Sequence, residues 1–65
     1  MNTGDIVKIT RDAIESGFIL GYDEDDRYEI VDFQKSILGT DIAILRSVGP
    51  DSYMDSMPVN MLERV

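Results

Sequence analysis

Cysteine, histidine and tryptophan are all absent from these 65 residues. Without cysteine there can be no disulfide and no thiolate metal site. Without histidine the chain lacks the commonest metal ligand and the commonest general base. Basic residues are also few: six stand against thirteen acidic ones, for a formal net charge of −7. Such a surface repels nucleic-acid phosphates and anionic lipids at long range. The excess acid is explained either by solubility or by complementarity to a basic partner. Such a partner could be a nucleic-acid-binding protein whose ligand this chain mimics. No apolar run approaches the roughly 18 residues of a membrane span. The opening Met1 to Asp5 has neither the basic nor the apolar region of a signal peptide. A cytoplasmic location is the expectation, and the lack of cysteine fits a reducing compartment.

The length implies a single domain over residues 1–65. A chain this short buries only about 60% of the surface its unfolded form exposes. That leaves room for one thin core and little for a deep pocket. Stability must come from hydrophobic packing, with packing against a second copy as one route.

What is present reads as short β-strands between turn signals. Ile6 to Thr10 is β-branched and partly alternating, with Val7 and Ile9 facing inward. Asp12 to Gly17 supports one helical turn, ended by Ser16-Gly17. Phe18 to Tyr22 reads as a strand with Phe18, Leu20 and Tyr22 on one face. Asp23-Glu24-Asp25-Asp26 is a charged hairpin turn. Arg27 to Phe33 follows, with Tyr28 and Ile30 on one face and Val31 and Phe33 on the other. Lys35 to Thr40 is a loop, Asp41 to Arg46 a strand, Gly49 to Ser52 a turn and Tyr53 to Met57 a short strand. Pro58 and Asn60 favour a tight turn before Leu62 to Val65. Five or six strands at this spacing favour a small antiparallel barrel, whose closure would remove exposed edges.

Two segments carry a family resemblance. Gly4-Asp5-Ile6-Val7-Lys8-Ile9-Thr10 resembles the opening strand of SH3 and SH3-like barrels, and Met57 to Val65 resembles their closing segment. In those domains a Pro-x-Asn-like 3₁₀ turn leads into a last strand that pairs near the first. The resemblance implies an all-β, SH3-like antiparallel barrel with at most a short helical turn. It does not imply peptide binding of the SH3 kind. Only Met1 to Thr3 precede Gly4, and there is no tryptophan, so the aromatic groove for polyproline cannot be assembled in the usual way.

Motifs for catalysis or metal binding are missing. A calcium loop starting at Asp23 would place Arg27, Tyr28 and Gln34 where an oxygen ligand, glycine and glutamate are required. The five serines have no histidine to activate them. Paired carboxylates need a cleft that so small a barrel does not offer. Gly17 and Gly21 lack the spacing of a phosphate loop. The basic residues form no stripe interleaved with aromatics, which argues against nucleic acid. Tyr22, Tyr28 and Phe33 read as core.

Ile37 and Leu38 stand side by side in a loop, where apolar groups are costly unless covered. They either cap an open end of the barrel or form an interface patch. Met57 and Met61 read as core, and Met54 as either core or surface. The sequence thus points to a non-enzymatic protein-interaction module, a small acidic regulator or inhibitor of a larger protein. Its expected contacts are Asp23, Glu24, Asp25, Asp26, Ile37 and Leu38, with no cofactor, metal, nucleic acid or membrane involved. The alternative is a binder of a small ligand or nucleotide, with its site at an oligomer interface. That would require several of Lys8, Arg11, Arg27, Lys35, Arg46 and Arg64 to converge. A homo-oligomeric structural subunit is a third option.

Overall fold

A computed structural model describes residues 1–65. Its five strands, β1 (Ile6–Ile9), β2 (Tyr28–Lys35), β3 (Asp41–Ser47), β4 (Met54–Pro58) and β5 (Leu62–Arg64), form one antiparallel sheet in the order β4-β3-β2-β1-β5. Strand β1, Ile6–Ile9, buries Val7 and Ile9 completely. Lys8, on the opposite face, pairs with Glu63 across the neighbouring strand. Thr10 then caps a single helical turn, α1, Arg11–Glu15, its Oγ1 accepting the Ala13 N–H at 3.2 Å. The turn buries Ala13 and stops at Gly17, whose φ of 80° is left-handed backbone that glycine adopts without strain.

The chain does not form a strand over Phe18–Tyr22. This corrects the reading of its alternating apolar pattern and fixes the strand count at five. Both sides of β1 are occupied: Val7 pairs with Tyr28 of β2 on one side and with Arg64 of β5 on the other. The segment therefore cannot pair with β1, and it takes up neither free sheet edge, β4 or β5. The connection from Thr10 to Arg27 instead packs on the core through Ile14, Ile19 and Tyr22. Phe18 and Leu20 are left 85% exposed. Asp23–Asp26 accordingly closes this long connection and is not the tip of a tight hairpin.

Strand β2, Tyr28–Lys35, pairs with β3, Asp41–Ser47. The register slips by one residue between Ile30 and Asp32, so Val31 is an extra residue in the strand. Such a bulge shifts which residues face the core beyond it. Tyr28 and Ile30 are buried as the alternation implies, but Phe33 pairs with Ala43 and packs against the core instead of sharing a face with Val31. Strand β4, Met54–Pro58, lies beyond β3. A 3₁₀ turn, Val59–Met61, then delivers β5, Leu62–Arg64, to β1, where Leu62 pairs with Ile9. Pro58 suits the entry to that turn because its φ is already fixed.

Nine residues form the core: Val7, Ile9, Ala13, Tyr28, Ile30, Ala43, Leu45, Met57 and Leu62. Val59 and Met61 pack against it, while Met54 is exposed. No ladder joins β4 to β5, so hydrogen bonding leaves the sheet open at those edges. No helix is long and apolar enough to cross a membrane.

Candidate functional site

The register of β2 and β3 decides which loops meet. Tyr28 pairs with Ser47, so the residues before Tyr28 lie beside those after Ser47. The Val48 N–H donates to the Arg27 carbonyl at 2.9 Å and ties the two segments together. Between them runs a solvent-open groove of about 350 Å³. Asp25, Asp26, Arg27 and Tyr28 form one wall, and Ser47 to Asp51 with Tyr53 form the other.

Both walls are built from local hydrogen bonds. In the first, the Asp26 N–H donates to the Asp23 carbonyl, and Asp23 Oδ1 accepts the Asp25 N–H at 2.9 Å. These Asx-type bonds are what aspartate offers a turn. Arg27 Nη1 donates to the carbonyls of Glu24 at 2.8 Å and Asp26 at 3.2 Å, closing the turn from beneath. In the second wall Ser47 Oγ accepts the Tyr53 N–H at 2.9 Å, and Ser52 Oγ donates to the Ser47 and Gly49 carbonyls. Tyr28 is buried, whereas Tyr53 is half exposed. Their rings meet edge to face at 6.4 Å, with the hydroxyl oxygens 3.2 Å apart. Burial first, then this hydroxyl contact and nearby negative charge, push the Tyr28 phenol above its ordinary pKa.

A second bond anchors the acidic turn to the sheet. The Tyr22 hydroxyl donates to Asp55 Oδ2 at 2.6 Å, joining the β1–β2 connection to β4. That bond, with burial and the Asp55 charge behind it, pushes the Tyr22 pKa up to about 12.

The expected contact residues do not form one surface. Asp25 and Asp26 line the groove, and Asp23 shares their turn. Glu24 is spent within the molecule: Arg11 Nε and Nη2 grip its two oxygens at 3.1 Å each. This bidentate contact, followed by the Arg11 charge, lowers the Glu24 pKa. Ile37 and Leu38 lie at the opposite end of β2, in the turn to β3. The Gly39 N–H donates to the Ser36 carbonyl there, which makes Ile37 and Leu38 the two central turn residues. Their side chains point outward and are 103% and 91% exposed, so they do not cap the sheet.

Unpaired carboxylates concentrate at the groove end. Lys8, Arg11, Lys35, Arg46 and Arg64 each face a carboxylate, on Glu63, Glu24, Asp41, Glu29 and Asp5 respectively. Arg27 is occupied by backbone carbonyls. Five of the thirteen acids are thus answered, leaving eight carboxylates without an ion pair. Asp25, Asp26 and Asp51 line the groove, Asp23 adjoins it, and Asp55 acts electrostatically on Tyr28 beside it. Only Asp12, Glu15 and Asp32 lie outside this group. Asp51 and Tyr53 were not among the residues expected from sequence. Comparison with protein-family models, curated proteins and solved structures finds no match to this chain.

Proposed function

We propose that this chain is a non-enzymatic interaction module, a small regulator or inhibitor that docks on a basic surface of a larger protein. The observation that carries this reading is the gathering of five unanswered carboxylates around one groove that holds a single cation, Arg27, itself engaged with backbone carbonyls. Opposed charge steers encounter, and half-exposed Tyr53 and Val48 offer apolar contact at the same place. The bare pair Ile37 and Leu38 supplies a second apolar contact at the far end of β2.

An SH3-like barrel is the architecture we assign. The strand order, the Gly4-Asp5 opening and the 3₁₀ turn before a last strand paired with the first all support it. The alternative of a nucleotide or other anionic ligand has little to stand on. None of the six basic side chains is free of a carboxylate or carbonyl partner, and they do not converge.

The test is a paired capture. The parent chain and an Asp25→Lys, Asp26→Lys variant are used as bait in a native lysate, and retained proteins are identified by mass spectrometry. Proteins with basic surfaces should be retained by the parent and lost from the variant. On the purified complex, the variant should associate more slowly, with a larger deficit at low salt. Equal retention by both folded baits would remove the acidic turn from the interface.

A further inference from the structure

Strand β3 is apolar on both of its faces. Ala43 and Leu45 are buried in the core, and the alternation of a strand puts Ile42, Ile44 and Arg46 on the opposite face. An unbroken apolar run such as Ile42–Leu45 marks a strand covered on both sides. Ile42 and Ile44 are nevertheless partly exposed, and neither packs with the core. The register extends their face across the neighbouring strands. Ile42 lies between Gln34 and Pro58, Ile44 between Asp32 and Ser56, and Arg46 between Glu29 and Met54. Met54, Ile44, Ile42 and Pro58 thus form an apolar stripe open to solvent, and none of the cavities reaches it.

Charge decides what can cover this face. It carries three charged side chains. Glu29 and Arg46 neutralise each other at 2.7 Å, and Asp32 Oδ1 accepts the Phe33 N–H at 2.8 Å. A basic partner is steered to the groove end instead, and an anionic lipid would meet one cation that is already paired. Two copies of a chain with a net charge of −7 repel wherever carboxylates meet, and least where local charge is nearly cancelled. The β4 edge is a poorer place for them to join. The Ser47 N–H donates to the Tyr53 carbonyl, so the next residues along β4 whose backbone turns outward are Met54, Ser56 and Pro58. Asp55 Oδ1 already accepts the Ser56 N–H at 2.7 Å, and proline has no N–H to give.

We propose that the outer face of β2, β3 and β4 is a self-association surface, on which a second copy of the chain seats its own Met54, Ile44, Ile42 and Pro58. Three strands about 4.8 Å apart and seven residues at about 3.4 Å each give a footprint of about 340 Å² per copy. A standard interface takes about 800 Å² per partner, so this dimer is weak and forms at high micromolar concentration. No groove residue belongs to the stripe, so this inference and the docking reading stand or fall separately.

The test is sedimentation equilibrium of the full chain up to about 1 mM, the range a weak interface requires. The average mass should rise toward that of a dimer. It should rise further at high salt, where like-charge repulsion is screened, whereas docking on a basic partner weakens with salt. Ile44→Thr keeps a β-branched strand residue and should raise the dimer Kd about 5-fold or more, as for a central contact. Met54→Gln should shift Kd in the same direction. Met54 is 58% exposed in the free chain, so this variant keeps the test decisive if Ile44→Thr does not fold. The Met54 amide should exchange equally fast in dilute and concentrated solution, because a face contact leaves the strand edge open. A chain that stays monomeric throughout at high salt, an unchanged Kd in both variants, or slowed exchange of the Met54 amide on association would overturn the proposal.

Discussion

Removing the Tyr22 hydroxyl with Tyr22→Phe should cost about 1 kcal/mol of stability. Hydrogen bonds to a charged group contribute about 1.5–3 kcal/mol when shielded. The Tyr22–Asp55 bond is short, at 2.6 Å, but only partly buried, so water competes for both partners and the contribution falls below that range, to about 1 kcal/mol. A chain of this length has roughly 3–10 kcal/mol in total. The loss should therefore lower Tm by about 4–8 °C. Asp55→Ala alone is ambiguous, because it also removes one carboxylate from a repulsive group. A double-mutant cycle isolates the pair, and we expect a coupling of about 1 kcal/mol. Urea unfolding should be followed by far-UV circular dichroism, since tyrosine emission itself changes on ionisation.

The same bond has a pH signature. The Tyr22 pKa is raised to about 12 in the folded chain, against 10.0 ordinarily. In that window the folded state holds its proton more tightly than the unfolded state, so stability falls as pH rises. The contribution is complete below pH 10 and is lost as pH approaches 12. The parent should lose stability more steeply than Tyr22→Phe across this interval, and its advantage should vanish within it. Ionisation of Tyr28 affects both proteins alike and cancels in the difference. Parallel curves, together with a coupling under about 0.3 kcal/mol, a value within the usual error of additivity, would show that the bond does not form in solution.

Leu45→Ala should be far more damaging. Leu45 is fully buried opposite Ile30, and such truncations cost about 2–5 kcal/mol, so a urea midpoint close to the parent value would contradict the packing. Truncation before Pro58 should abolish cooperative melting, because it removes Leu62 from the core and the β5 partner of β1. A retained sigmoidal melt near the parent temperature would refute this. Ile37→Ser with Leu38→Ser should shift stability by no more than about 0.5 kcal/mol, as for surface sites generally. Unfolding of that double variant would mean the pair is covered in solution.

Much of the fold was legible because strand formation and burial follow local pattern. The β-branched run at Ile6–Ile9, the inward pair Tyr28 and Ile30, and the Pro58 turn each announce themselves within a few residues. Two features were not legible. Phe18, Leu20 and Tyr22 alternate as a strand would, but the segment joins no ladder and packs on the core through Ile19 and Tyr22 instead. Val31 carries no local sign that it is an extra residue, yet it decides that Phe33 turns to the core. The acidic half of the site was visible as a run of charge. Its other half, Asp51 and Tyr53, depends on the pairing of Tyr28 with Ser47, a long-range register. Once that pairing is drawn, the Gly49-Pro50-Asp51-Ser52 turn must face the acidic run, so hairpin register is the signal that could have found it.

Charge placement joins the stability of the chain to its proposed use. The five ion pairs are spread along the sheet and α1, and each is exposed enough to contribute little. The groove end has only Arg27, bound to backbone carbonyls, against five carboxylates. Five like charges at one end of a molecule whose longest dimension is 32 Å repel one another within a few Debye lengths at physiological salt. A thin core of nine side chains bears that cost. A basic partner would remove the repulsion while binding only the folded chain, because the groove exists only where Tyr28 pairs with Ser47. Binding would then stabilise the domain by mass action, in proportion to RT ln(1 + [partner]/Kd). In the proposed complex, the acidity that burdens the free domain would also steer the encounter and supply the stabilisation.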